Sequence, residues 1–331
     1  MPHWVPSWQL AVTVAGGLAL ISVPLRWWAR GKDGTRERRL GLAGLVGWQA
    51  AVLIAAYGLW QYTGSKALYG TVDGIDRGRR LWDFERDLHI PSEASFQRLF
   101  LPHHSFVKFL NLYYVVAHYN VLLLMLAWLL WRHRDRYNEA RNVILLATFA
   151  CLAVQLIPVA PPRLIPGHVV VDTPVLYGQS VYGPIGQGFS DQYSAMPSVH
   201  IAWSSAVAFF IWRSTKSRWR YIGFVHALLT WTVVIATGNH YWADGIVAIA
   251  ILALSFWTVR LGSYLWQRVS QWQAWRPAPV ALGTGASAAS DASPASASLS
   301  SAARSSPDAA ATATRTTARP PVPAQHPPPS P

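Results

Sequence analysis

Charge is scarce in this 331-residue chain, with Asp, Glu, Lys and Arg together making up 13%. An ordinary soluble domain carries roughly a quarter, so the deficit argues against a conventionally hydrated surface and for lipid as the solvent. Acidic residues are the rarer sign, 15 against 28 Lys and Arg. A net charge of +13 would suit nucleic acid if it lined one surface, but the bases fall in short clusters between apolar runs. No nucleic-acid partner is therefore expected, and the charge reads as membrane orientation. The single cysteine, Cys151, lies inside an apolar run, which excludes a disulfide framework and a cysteine metal site and leaves a small lipid-facing or packing residue. No basic region precedes the first apolar run, and no small-residue cleavage site leads into a soluble domain. That run is expected to be a retained span, not a signal peptide.

Apolar sequence is abundant. A helix needs ~20 apolar residues to cross the hydrocarbon core and at least ~17, and seven stretches approach that length: Trp8 to Leu25, Leu40 to Tyr62, Phe109 to Trp131, Asn142 to Ala160, Pro197 to Trp212, Tyr221 to Gly238 and Trp242 to Val259. Asp244, in the last, is the only formal charge among them. Barrel-type alternation is absent, and a bilayer offers no water to an open sheet edge. The fold expected is all-α, a polytopic bundle of about seven spans. Trp27, Trp28, Trp60, Trp131, Trp212 and Trp242 sit near the ends of runs, where amphipathic rings anchor at membrane interfaces.

The positive-inside rule concentrates Lys and Arg in alternate short loops. Arg26, Arg30, Lys32, Arg36, Arg38 and Arg39 separate the first two runs, Arg132, Arg134, Arg136 and Arg141 the third and fourth, and Arg213, Lys216, Arg218 and Arg220 the fifth and sixth. An integral cell-membrane protein is expected, with an outside N-terminus and a cytoplasmic C-terminal tail. The external loop from Val159 to Met196 holds one basic residue, Arg163. The loop from Thr63 to Lys108 has mixed charge and suggests an external cap or interfacial helix that includes Asp83 to Leu88. Four regions follow: an extra N-terminal span and basic loop (1–39), a membrane-embedded domain (40–262), a membrane-proximal segment (263–277) and an Ala/Ser/Pro-rich tail (278–331). The tail is expected to be disordered, because it holds too little apolar area to offset its ordering entropy.

Three polar motifs fall on the external side of this topology: Ala160-Pro161-Pro162-Arg163-Leu164, Ala195-Met196-Pro197-Ser198-Val199-His200 and Thr237-Gly238-Asn239-His240-Tyr241-Trp242-Ala243-Asp244. His240 and Asp244 are four residues apart, which on a helix places both on one face. A carboxylate there would fix the imidazole tautomer and free the other nitrogen to attack. Pro197 suits the first turn of a helix, and the N–H groups around Ser198 to His200 would then form an anion site. Ser198 would cap that helix or contact phosphate. His200 could protonate a departing alkoxide, and Arg163 offers a forked, permanent cation that matches phosphate oxygens. An ionisable group in a span costs ~2.5 to 3.5 kcal/mol at its centre, so Asp244 is a functional candidate by default.

The order Arg, then Pro-Ser-x-His, then His-x-x-x-Asp resembles the type 2 phosphatidic acid phosphatase superfamily. Ala195 to His200 and Thr237 to Asp244 are similar to its inositolphosphotransferase branch, the inositol phosphorylceramide synthase-like group. The likeness extends over roughly Leu40 to Val259, and implies a six-helix core and cofactor-free two-step transfer through a phosphohistidine. By motif position it implies His240 as nucleophile, Asp244 as its orienting partner, His200 as general acid, and Arg163 and Ser198 as phosphate ligands. Three positions depart from the usual pattern: Leu156 stands where Lys is common, Val234 where Arg is common and Val199 where Gly is common. Asn239, Tyr241 or Tyr193 would supply neutral donors instead.

A lipid phosphate or phospholipid is the expected substrate. A head-group transporter or binding protein without catalysis is the alternative, and a metal-dependent hydrolase using His200, His240 and Asp244 a third reading. His118 and His226 are expected to make interhelical hydrogen bonds, and His103-His104 to form an exposed interfacial pair. Glu85 and Glu93 resemble acidic positions of the same group and have no chemical role in this reading.

Overall fold

The computed structural model describes residues 7–64, 71–167, 170–179 and 192–274. The expected tail at 278–331 lies outside them. Ten α-helices and no strand occur among the described residues: α1 (Trp8–Ala29), α2 (Thr35–Gly64), α3 (Thr71–Asp87), α4 (Glu93–Arg98), α5 (His104–Arg132), α6 (Arg134–Gln155), α7 (Thr173–Leu176), α8 (Val199–Ser214), α9 (Ile222–Ala236) and α10 (Trp242–Ala274). Each of the seven apolar stretches becomes one of the seven longest helices other than α3. Five helices (α1, α2, α5, α9 with the turn before it, and α10) are long and apolar enough to cross a membrane. Such a set makes the chain an all-α helical membrane bundle.

The two remaining long helices differ for separate reasons. Helix α6 opens with Arg134, Asp135, Arg136, Glu139 and Arg141, so its first two turns are polar. Helix α8 has 16 residues, about 24 Å at 1.5 Å per residue, where the hydrocarbon core is ~30 Å thick. Several basic residues expected in loops lie on helices instead: Arg36, Arg38 and Arg39 open α2, and Arg134, Arg136 and Arg141 open α6. An α-helix satisfies its own backbone and runs on past its apolar portion, so hydropathy marks only the embedded part of each helix.

Leu122, Met125, Leu126 and Leu129 of α5, Tyr137, Ala140, Val143 and Ile144 of α6, and Ala206, Val207 and Phe210 of α8 pack into one core. A second core gathers Ile201 and Ala202 of α8, Val234 and Ile235 of α9, Ala248 of α10 and Cys151 of α6. Cys151 is therefore a packing residue. Burial of each large side chain contributes about 1.5–3 kcal/mol in water; in lipid, close packing carries that role. Outward residues such as Leu20, Trp131 and Leu228 are more than 70% exposed, which a bilayer accommodates and water does not. Helices α1 and α2 pack on each other, and Arg141 of α6 donates to the Gln49 side chain of α2 at 2.5 Å.

The loop expected to form an external cap or interfacial helix folds as α3 and α4. Gly74, Gly78 and Glu85 form a buried stripe on α3, with Leu81 and Trp82 partly buried beside it. That stripe sits on the segment after α6. Arg77 Nε donates to the Pro158 carbonyl at 2.7 Å, and the Ala160 N–H donates to the Gly74 carbonyl at 2.9 Å. A Cβ at Gly78 would lie 2.6 Å from the Ala160 oxygen and 2.9 Å from the Tyr241 hydroxyl. Only glycine permits that approach, and it places α3 directly over the third polar motif.

Candidate active site

The third motif lies between two helix caps. Helix α9 ends with Gly238 at φ +72°; its N–H donates to the Ile235 carbonyl at 2.9 Å and that of Asn239 to the Val234 carbonyl at 3.1 Å. These are the paired bonds of a Schellman ending, which favours glycine at the left-handed position. At the other end, Tyr241 precedes α10 and its N–H donates to Asp244 Oδ2 at 2.8 Å. Asp244 thus reaches back from the third helical position, as the acid of a capping box does. His240 therefore precedes the helix instead of sharing a helical face with Asp244, a correction to the spacing argument. The two side chains meet because the capping acid turns toward the chain entering the helix.

His240 Nδ1 lies 2.7 Å from the Ala195 carbonyl and 3.2 Å from Asp244 Oδ2. Both partners only accept, so Nδ1 carries the proton and Nε2 keeps its lone pair. Asp244 is legible from the motif, whereas the shorter contact, to a backbone carbonyl, is not. Ala195 is fixed in turn by a parallel bridge between Val159 and Ser194, and its N–H donates to Val159 at 3.1 Å. The first and second motifs are thereby tied together.

Two further carboxyls meet the same helix end. Glu85 Oε1 accepts from the Ala243 N–H at 2.7 Å, and Glu93 Oε1 accepts from the Trp242 N–H at 3.4 Å. Both glutamates are fully buried. They satisfy donors that a helix N-terminus leaves unpaired and place negative charge at its positive pole, a role the sequence reading did not find. Arg86 bridges the pair, at 3.3 Å from Glu85 and 3.4 Å from Glu93. One guanidinium for two buried carboxyls leaves room for one shared proton. Glu85 is pushed up to about 9, first by burial and then by the hydrogen bond and charge of Glu93, with Asp244 adding to the repulsion.

A carboxyl whose folded value is raised contributes stability that is complete below its ordinary value near 4.5 and is lost as pH climbs to about 9. Glu85→Gln keeps an acceptor for Ala243 and removes that titration. The melting temperature of Glu85→Gln minus that of the unmodified protein should widen from pH 5 toward pH 9, by about 2–4 °C for each kcal/mol involved. A difference that stays constant across this range would show that Glu85 is ionised throughout.

The second motif begins α8. Ser198 caps it, its Oγ accepting from the Ile201 N–H at 3.4 Å, and its own N–H donates to the Asp244 carbonyl at 3.2 Å. Pro197 precedes the cap and does not occupy the first turn, and the Ser198 N–H, expected to face an anion, is already paired. The first-turn N–H groups of Val199 and His200 have no intrahelical partner by helix geometry. The His200 ring stands 5.6 Å from that of His240, centroid to centroid.

Arg163 follows α6 in a short 3-10 turn, Pro162–Leu164, and its side chain is almost wholly buried. Nε donates to Asn239 Oδ1 at 2.9 Å and Nη1 to Asp172 Oδ2 at 3.1 Å, while its backbone N–H donates to Gly238 at 3.1 Å. Asn239 in turn donates to Thr237 Oγ1 at 2.8 Å. Asp172, which the motif reading missed, also caps α7. Gln97 of α4 holds the neighbouring Val171 through both its N–H and its carbonyl, at 2.7 and 2.9 Å. Tyr241, considered as a neutral donor, gives its hydroxyl to the Ala160 carbonyl at 2.8 Å.

Of the other histidines, His226 meets the Tyr113 hydroxyl at 2.5 Å, the interhelical bond expected. His118 instead packs its ring on His200 and Trp203. His103 and His104 are exposed. Among the described residues no group of three His, Cys, Asp or Glu side chains is placed to hold a metal ion.

No curated protein and no solved structure matches the chain. A family model described as the PAP2 superfamily matches residues 79–258, from within α3 to within α10. The match includes all three polar motifs, begins later than the Leu40 expected from the motifs, and covers more than half of the chain. With Arg163, His200, His240 and Asp244 all inside it, the chain belongs to the PAP2 superfamily, whose members are generally membrane phosphatases and phosphotransferases.

Proposed function

We propose that this protein transfers the phosphoryl group of a lipid phosphate or phosphodiester through a phosphohistidine on His240, within the inositolphosphotransferase-like branch of the superfamily. The observation that carries the reading is the doubly held His240 Nδ1–H, on Ala195 and Asp244, which leaves Nε2 as the nucleophile. Nε2 attacks phosphorus and the bond to the leaving oxygen breaks, with the proton on that oxygen supplied by His200. The imidazolium of the phosphohistidine is balanced by Asp244. Water or an alcohol then gives its proton to His200 and attacks the same phosphorus, releasing His240. Arg163, Asn239 and Ser198 would hold the phosphoryl oxygens, charge stabilisation being the largest contribution in most phosphoryl transfer.

The alternate basic clusters support a site at the external face with the C-terminal tail in the cytoplasm. The sixteen residues of α8 support a motif that starts below the membrane surface, within reach of a lipid head group.

The test is the purified protein with a panel of lipid phosphates and phospholipids, with and without inositol-type acceptors and with chelator throughout, products being read by mass spectrometry. Chelator-resistant release of phosphate, or an exchanged head group, is expected. Binding without turnover across the panel would overturn the reading in favour of head-group recognition alone.

A further inference from the structure

His200 begins α8, and two side chains of α5 bracket its ring. Tyr114 stacks on it with centroids 4.5 Å apart and planes 27° from parallel. His118 meets it edge-on, at 4.1 Å and 67°. Tyr114 and His118 are four residues apart on one helix and share a face. Behind His118 lies Trp203 of α8, nearly parallel at 5.9 Å, itself anchored by its Nε1–H on Thr148 Oγ1 at 2.8 Å. His118 is thus wedged between two rings of α8, one turn apart, while the remaining side of His200 looks toward His240.

A histidine rotates easily about its outer torsion, which has broad, shallow minima. A proton donor is productive only when held within about 0.5 Å and 10–20° of its working geometry. No protein group among the described residues hydrogen-bonds the His200 ring at Nδ1, and the two rings of α5 lie directly against it. We propose that Tyr114 and His118 are positioning residues that hold the His200 edge toward the departing oxygen, a role that rests on His200 being the general acid. Neither belongs to the three motifs, and neither is expected to touch the phosphoryl group.

A positioning role of this kind has a signature that a purely structural one lacks. An alkyl leaving oxygen needs a proton, whereas para-nitrophenolate departs without one. In the full-length purified protein, His118→Ala and Tyr114→Leu should lower the single-turnover rate of diacylglycerol release from dioleoyl phosphatidate, the step in which His200 acts as acid, by about 10- to 100-fold, within the span of general-acid catalysis. The single-turnover release of para-nitrophenolate from para-nitrophenyl phosphate, which precedes the step in which His200 acts as base, should change by less than about 3-fold. His118→Phe, which restores a flat ring, should recover most of the phosphatidate activity. Equal losses on both substrates, or a Phe variant no better than Ala, would overturn the proposal. His200→Ala is the control for its premise: selective loss on phosphatidate upholds general-acid catalysis, and equal loss on both substrates removes that premise and the proposal with it. An unmodified protein that turns over neither substrate would overturn both the functional reading and the proposal.

Discussion

His240→Ala should lower kcat on a lipid phosphate by at least about 10⁴-fold, in line with the loss of a nucleophile that acts as one unit with its partners. It should also abolish an acid-labile, alkali-stable phosphoenzyme. The size of the effect follows from how completely the site is organised around one atom. Nδ1–H is held by Ala195 and Asp244, at 2.7 and 3.2 Å, and Asp244 is held by the Tyr241 N–H at 2.8 Å. Removing the imidazole takes the side-chain donor from the Ala195 carbonyl, leaves Asp244 Oδ2 with the Tyr241 N–H alone, and leaves the phosphoryl group without an attacking lone pair. His200 does not substitute, because its ring centre lies 5.6 Å away and the proposed mechanism assigns it to protonating the leaving oxygen. Rapid quench with radiolabelled phosphatidate measures both quantities. A variant that keeps turnover, or still traps label, would place the covalent step elsewhere or eliminate it.

The bundle was legible because hydrocarbon thickness imposes a length on every span, and length survives in sequence as an uninterrupted apolar run. Helix ends were less legible. The first turns of α2 and α6 are rich in charge, and hydropathy reads them as loops although the backbone continues unbroken. The motifs named Arg163, His200, His240 and Asp244, yet the contacts that organise them have weak sequence signatures or none. A carbonyl such as that of Ala195 has no side-chain identity to read. Asp172 holds Arg163, and Gln97 of α4 holds Val171 beside Asp172, through contacts that no motif spacing encodes. Glu85 and Glu93 were visible as acids but not as caps, since their targets at Ala243 and Trp242 lie about 150 residues downstream. His118 lacked a partner in sequence because its partner, His200, is on another helix.

Arg163→Lys is expected to lower kcat/KM by about 10²-fold or more, the usual cost of losing one well-placed charged donor, while charge is conserved. Geometry is what changes. The guanidinium is held at two nitrogens, Nε on Asn239 and Nη1 on Asp172, and such a fork keeps its plane where a lysine offers one compact, freely rotating ammonium. The two positions at which the motif pattern described above would place further cations are apolar here. Leu156 caps α6 and is 40% exposed, and Val234 is wholly buried in the second core. Arg163 is therefore the sole Lys or Arg in the three motifs, so in the proposed mechanism the charge of the transferring group would fall on it to an unusual degree. Kinetics on phosphatidate vesicles, with the melting temperature as a control for folding, separate this from a loss of stability. A lysine variant with near-normal kcat/KM would show that the fork does not meet phosphate and that Arg163 serves only to tie Asn239 to Asp172.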